Sequence, residues 1–213
     1  MGWDFLIIDE NGKEVPAGEK GFLVGKYPLP PGNLLTIYGD DERYSKTYWE
    51  VYPGRVYNTG DYAIKDEDGY FWVLGRADEV IKIAGHRLGT REIEEAVSSH
   101  DAVAETSCIG VEDPIKGTCV IAFIVIKQDV DPSDEMKKEI IQIVRDNIGP
   151  IAAPKVVEVV KMLPKTRSGK IMRRILKGVY ESKDLGDLST IEDGASIEEI
   201  SSAINLMKSE LGK

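Results

Sequence analysis

The alternation of apolar and polar positions changes character about a third of the way along the chain. Before residue 78 it favours short strands and turns. Trp3 to Ile8 reads as a strand, Asp9-Glu10-Asn11-Gly12 as a turn, and Gly21 to Gly25 as a second short strand. A loop containing Pro28, Pro30 and Pro31 follows, then an aromatic, charged stretch around Tyr44, Tyr48 and Trp49. Asp61 to Ile64 and Tyr70 to Leu74 flank Asp66-Glu67-Asp68-Gly69, which predicts a hairpin.

After Asp78, strand and helix periods alternate. Glu79 to Ala84 is a candidate short strand. Thr90 is placed to cap a helix whose first turn carries Glu92 and Glu94, where carboxylates suit the positive end of the helix dipole. Val103 to Val111 and Cys119 to Lys127 predict strands, the second almost wholly apolar. Ser133 to Asn147 is an amphipathic helix, with Met136, Ile140, Ile143, Val144 and Ile148 at helical spacing. Lys155 to Val160 is a further strand. Ser168 is the expected cap of a last core helix presenting Ile171, Ile175, Leu176 and Val179. Ala195 to Leu211 is expected to form a peripheral helix. The expected fold class is therefore α+β, a small β structure followed by a compact α+β unit of roughly 100 residues.

Composition narrows the picture. The 213 residues suit one large domain or two small ones, and 42% hydrophobic content suffices for a buried core. No run approaches the roughly 20 apolar residues that span a bilayer, and Met1-Gly2-Trp3-Asp4 has neither the basic start nor the apolar run of a signal peptide. Cys108 and Cys119 lie in apolar strand patterns without metal-ligand spacing, so buried free thiols and a cytoplasmic setting are expected. A net charge of −10 argues against general nucleic-acid binding. The charge is uneven, however: residues 161–177 hold seven basic side chains and no acidic one, while residues 181–213 hold eight acidic and three basic. A basic island in an acidic chain suits a small anionic ligand.

Four segments could carry chemistry. In Tyr57-Asn58-Thr59-Gly60-Asp61, a carboxylate after a glycine turn can accept hydrogen bonds from vicinal hydroxyls, or simply cap the turn. Gly75-Arg76-Ala77-Asp78-Glu79 joins the two regions; Arg76 can clamp a phosphate or ribose oxygen, or pair with its acidic neighbours. Gly85-His86-Arg87-Leu88-Gly89-Thr90 brackets a basic strand with glycines before a helix N-terminus, an arrangement suited to close approach of a ligand. In Pro164-Lys165-Thr166-Arg167-Ser168-Gly169-Lys170, a lysine ends a polar loop where it can neutralise charge between a carboxylate and a phosphate. Pro164 excludes a GxxxxGK phosphate loop. His86 and His100 have no nearby nucleophile that would suggest a hydrolase triad.

Taken in order, these segments resemble the adenylate-forming acyl-CoA synthetase superfamily. The match runs through Asn58-Thr59-Gly60-Asp61, Gly75-Arg76-Ala77-Asp78-Glu79, Gly85 to Glu94, and Pro164 to Arg174. Gly39-Asp40-Asp41-Glu42-Arg43-Tyr44, Ile115-Lys116-Gly117 and Leu185-Gly186-Asp187-Leu188-Ser189-Thr190 are most similar to the acetyl-CoA-forming branch. The resemblance implies ATP and CoA as substrates, acetate as the acyl donor, and Mg²⁺. It implies that Asp61 holds the ribose, that Arg76 and Arg87 contact ribose or phosphate, and that Asp78 is a hinge. It makes Lys170 the catalytic lysine, puts Ala84 and Gly85 along the pantetheine path, and sets Arg145 at the nucleotide end of CoA. A magnesium near Ser98, His100 and Val103, held largely by backbone carbonyls, is carried over too.

By the same resemblance, residues 1–77 are the β-barrel-like end of a large domain. Residues 78–185 form the mobile C-terminal domain, and residues 186–213 an acidic, helical tail. Ala84 stands where the branch usually has Ser, and Glu79 where a second Asp is usual. The phosphate loop, adenine segment and acyl pocket of the superfamily are not in this sequence. The chain is thus expected to need an N-terminal synthetase half on another chain. A non-catalytic CoA- or nucleotide-binding module, or a gene remnant, is the alternative.

Overall fold

The computed structural model describes residues 2–114 and 117–210, so the Ile115-Lys116 pair noted above lies outside the described residues. The chain divides into two compact units, Met1–Val80 and Ile81–Lys213.

In the first unit, β1 (Phe5–Ile8), β2 (Lys20–Lys26), β3 (Val56–Lys65) and β4 (Phe71–Arg76) form an antiparallel sheet in the order β1-β2-β3-β4. The sheet is open, which corrects the barrel-like expectation: β1 and β4 are its edges. The predicted hairpin at residues 66–69 joins β3 to β4. There Asp66 accepts from the Tyr70 N–H at 2.8 Å and from the Trp72 indole at 2.9 Å, with Gly69 at φ +90. The link between β2 and β3 carries a helix that the sequence pattern did not announce, α1 (Asp41–Tyr48). Asp40 caps it by accepting from the Arg43 N–H, and it has no buried residue. It is held by a ring stack instead, Tyr48 on Tyr57 with centroids 5.1 Å apart and planes 5° apart.

The second unit is a three-layer sandwich. β7 (Val103–Asp113) and β8 (Gly117–Ile126) pair antiparallel, and β9 (Val156–Val159) joins β8 in parallel through α3 (Asp134–Asn147). Alternate residues of β8 enter two different cores. Val120, Ala122 and Ile124 pack with α3 and α2 (Thr90–Ser98). Cys119, Ile121 and Phe123 pack with α4 (Arg173–Glu181) and α5 (Ala195–Glu210). Burial on both faces explains why the β8 sequence reads as a continuous apolar run rather than an alternating one. A hairpin of β5 (Ile81–Ile83) and β6 (His86–Leu88) packs on this sheet. The approach is close at Gly110, where an added Cβ would stand 2.7 Å from the Ile81 side chain.

Two expectations are corrected here. The acidic tail is not peripheral: Ile200, Ile204 and Met207 of α5, spaced to share one helix face, are almost fully buried in the second core. The helix expected to start at Ser168 starts at Arg173, because Lys165 and Ile171 form a β-bridge that keeps the chain extended to Met172. Among the described residues no helix is long and apolar enough to cross a membrane.

Candidate functional site

In the first unit, Asp61, Arg76 and Asp78 come together. β3 carries a bulge: Val24 faces Asn58 and Leu23 faces Asp61, leaving Thr59 and Gly60 over. The Thr59 hydroxyl secures the bulge by donating to the Leu23 carbonyl at 2.7 Å. Gly60 has φ +77, and an added Cβ would stand 2.4 Å from the Arg76 guanidinium, so the arginine lies directly over the glycine. Asp61 is the cross-strand partner of Arg76. Nη1 of Arg76 is 3.4 Å from Asp61 and donates to the Thr59 carbonyl at 3.2 Å, while its Nε is 3.4 Å from Asp78. A partly exposed guanidinium therefore sits between two carboxylates. Both alternatives raised by the sequence, ligand clamp and local ion pair, share one geometry. The Asp61 carboxylate keeps Oδ2 without a protein partner among the described residues, which leaves an acceptor for a hydroxyl pair.

In the second unit, Ala84 and Gly85 form the two-residue turn between β5 and β6, with φ +46 and +86. Two positive φ values in succession define the turn type that suits Asn-Gly or Gly-Gly; Ala84 occupies its first position with a Cβ in a costly region. Both turn residues are exposed, and Arg87 follows on β6, half-buried. Arg145, in the last turn of α3, lines a pocket of about 300 Å³ with Ile83, Asp113, Cys119 and Lys155. Lys155 donates to the buried Asp113 carboxylate at 2.7 Å, and this bond holds its ammonium above the ordinary lysine range. Cys108 lies fully buried, and burial pushes its thiol well above the usual value.

Lys170 sits in a turn closed on itself. The Thr166 N–H donates to the Lys170 carbonyl at 2.9 Å, the Gly169 N–H to the Thr166 carbonyl at 2.8 Å, and the Lys170 N–H to the Thr166 hydroxyl at 3.1 Å. The side chain is exposed and its ammonium has no partner among the described residues. Ser168 does not cap a helix; its hydroxyl lies 3.0 Å from that of Thr166. The turn is anchored at both ends. Lys165 donates to Glu105 of β7 at 2.6 Å. Arg173 donates to both oxygens of Glu94, at 2.9 and 2.6 Å, and Glu94 also accepts the Cys108 N–H at 2.8 Å. This fork unites α4, α2 and β7 in a largely buried place. Sequence reasoning missed both anchors, since their partners lie 60 and 79 residues away; the clue was a glutamate, Glu94, on the apolar face of α2.

Ser98, His100 and Val103 cluster where α2 meets β7. The His100 ring is committed: Nδ1 accepts the Ala102 N–H at 3.1 Å, which puts the proton on Nε2, 3.2 Å from Glu139. Its carbonyl accepts from the Val103 N–H at 3.0 Å. The imidazole does not fit a metal-ligand role, so any cation here would rest on carbonyl oxygens alone. Among the described residues no group of three or more His, Cys, Asp or Glu side chains is arranged to hold a metal.

Residues 92–170 match the family described as AMP-binding enzyme C-terminal domain. Across 212 residues the chain is 57% identical to an acetyl-coenzyme A synthetase of Pyrobaculum aerophilum, a match covering 100% of this chain and 31% of that protein. It is 48% identical to a 3-hydroxypropionyl-coenzyme A synthetase of Metallosphaera sedula, covering 96% and 31%. The crystal structure of the anthranilate CoA ligase AuaEII with anthranoyl-AMP superposes with a TM-score of 0.74 at 31% identity, covering 83% of this chain and 33% of that one. The chain spans about a third of the length of the curated relatives it matches.

Proposed function

We propose that the chain, whose residues 92–170 match the AMP-binding enzyme C-terminal domain, supplies the mobile catalytic portion of an AMP-forming acetate–CoA ligase. The overall reaction has two steps. Acetate attacks the α-phosphate of ATP to give acetyl-adenylate and pyrophosphate; the CoA thiol then attacks the acetyl carbonyl and releases AMP.

The observation that carries this reading is the free ammonium of Lys170 on an anchored turn within the matched domain. The first step brings a carboxylate against a phosphate, and a positioned cation between them lowers the repulsion most at the transition state. Asp61 accepts the ribose hydroxyls, and Arg76 and Arg87 hold ribose or phosphate oxygens. Asp78, two residues before the unit boundary, is the hinge about which residues 81–213 turn between the two steps. The Ala84-Gly85 turn, small and exposed, lies along the pantetheine path, and Arg145 meets the nucleotide end of CoA. Magnesium accompanies the phosphates of ATP and screens their charge; no role is assigned to the Ser98–His100–Val103 cluster. Acetate is favoured because the acetyl-forming relative is more similar than the 3-hydroxypropionyl-forming one. Free thiols and the absence of nucleic-acid-binding charge suit a cytoplasmic ligase.

Because the chain spans about a third of its relatives' length, the acyl pocket is assigned to an N-terminal half outside the matched stretch. The test is acetate-dependent exchange of pyrophosphate into ATP, measured for this chain with and without the N-terminal half of an acetyl-CoA synthetase. Exchange only on mixing is the expected result. Full exchange by this chain alone, or CoA binding by calorimetry with no exchange on mixing, would instead point to a complete enzyme or to a non-catalytic binding module.

A further inference from the structure

The Lys170 turn is a small ribbon closed by the single bridge Lys165–Ile171. Two-stranded ribbons of this size are marginal in water. A third segment lies along it, residues 188–192, a turn in which the Ile191 N–H donates to the Leu188 carbonyl at 3.0 Å before the chain meets the ribbon. The Arg167 N–H donates to the Thr190 carbonyl at 3.2 Å, and the Glu192 N–H to the Lys165 carbonyl at 2.8 Å, on either side of an antiparallel bridge between Thr166 and Ile191. That segment is itself fixed at both ends. Before it, Arg174 of α4 donates to the carbonyls of Leu185 and Asp187, and Asp187 accepts the Ser189 N–H at 2.8 Å. After it, Asp193 accepts the Ala195 N–H at 2.9 Å at the start of α5, the helix buried through Ile200 and Ile204. Residues 188–192 lie beyond the matched family domain, which ends at residue 170.

We propose that residues 188–192 are a positioning strap for Lys170, needed for adenylate formation and dispensable for thioester formation. This rests on the role given to Lys170 above. A lysine side chain has several rotatable bonds and cannot aim itself. The strap ties the backbone beneath it through the Thr166–Ile191 bridge and its two flanking hydrogen bonds, so only the side chain remains to be ordered. Because Lys170 acts in the first step alone, loosening its mount should slow that step selectively.

Glu192 is exposed, so Glu192→Pro removes the N–H bonded to Lys165 while burying nothing new, and Glu192→Ala removes the charge but keeps the N–H. In this chain alone, Glu192→Pro should speed hydrogen exchange at the Arg167 amide about tenfold or more, with a Tm close to wild type. Combined with the N-terminal half, it should lower kcat for pyrophosphate exchange about tenfold or more, with KM for ATP and thioester formation from preformed acetyl-adenylate within about twofold. Glu192→Ala should match wild type in both. Unchanged exchange at Arg167, or an equal fall in both half-reactions, overturns the strap. Should the wild-type pair show no pyrophosphate exchange, the ligase reading fails separately, and the Arg167 amide alone then decides: faster exchange in Glu192→Pro supports the strap, and no change refutes it.

Discussion

In Ile81–Lys213 the central sheet is covered on both faces, by α2 and α3 on one side and α4 and α5 on the other, whereas the sheet of Met1–Val80 gathers only Ile7, Leu23 and Ala63 into its buried cluster. The first unit leaves Tyr70 69% and Trp72 60% exposed on or beside β4. Its order comes from directional contacts: the Asp66–Trp72 hydrogen bond, the Tyr48–Tyr57 stack and the Arg76 fork over Gly60. The second unit is ordered by burial. Their chemical offerings differ in the same sense. Asp61 and Asp78 both pair with Arg76, while Lys170 presents an ammonium with no partner among the described residues on a braced support.

The most disruptive test of that contrast is truncation in each core. Phe123→Ala should cost about 4 kcal/mol by denaturant unfolding, since Phe123 is fully buried. Leu23→Ala in the smaller cluster should cost about 2 kcal/mol; equal losses would remove the distinction between the units. Arg173→Ala should cost about 3 kcal/mol, because Glu94 would keep its charge in a largely buried place with one backbone donor. Adding Glu94→Gln should recover part of that loss, a non-additivity readable in a double-mutant cycle. In the first unit, Gly60→Ala should cost about 2 kcal/mol and displace the Arg76 side chain, visible as a shift of its Nε resonance. Ala84→Asn should go the other way, raising stability by less than about 1 kcal/mol, because Asn tolerates the left-handed conformation that Ala84 adopts at φ +46.

What the amino-acid order disclosed tracks local rules. The hairpin at residues 66–69 and the helix capped by Ser133 were legible because their determinants sit within a few residues. α1 was hidden because aromatic stacking, not an apolar face, holds it in place. α5 was underrated because its serines and glutamates mask the Ile200, Ile204 and Met207 face. At the site, residue types and their order pointed to Asp61, Arg76 and Lys170, but not to how Lys170 is supported. Reading residues 165–170 as a polar loop before a helix missed the braces that tie it to the rest of the unit, because those are non-local: Glu105, Glu94 and the Thr190–Glu192 backbone. Nor could spacing say that the His100 ring is already engaged on both nitrogens.

The claim on which the account turns is that Lys170 acts in adenylate formation and nowhere else, and Lys170→Ala addresses it directly. With the N-terminal half present, acetate-dependent pyrophosphate exchange should fall about a hundredfold or more, while conversion of added acetyl-adenylate and CoA to acetyl-CoA stays near wild type and Tm is unchanged. Exchange that persists in Lys170→Ala, or a parallel loss of both half-reactions, would contradict it.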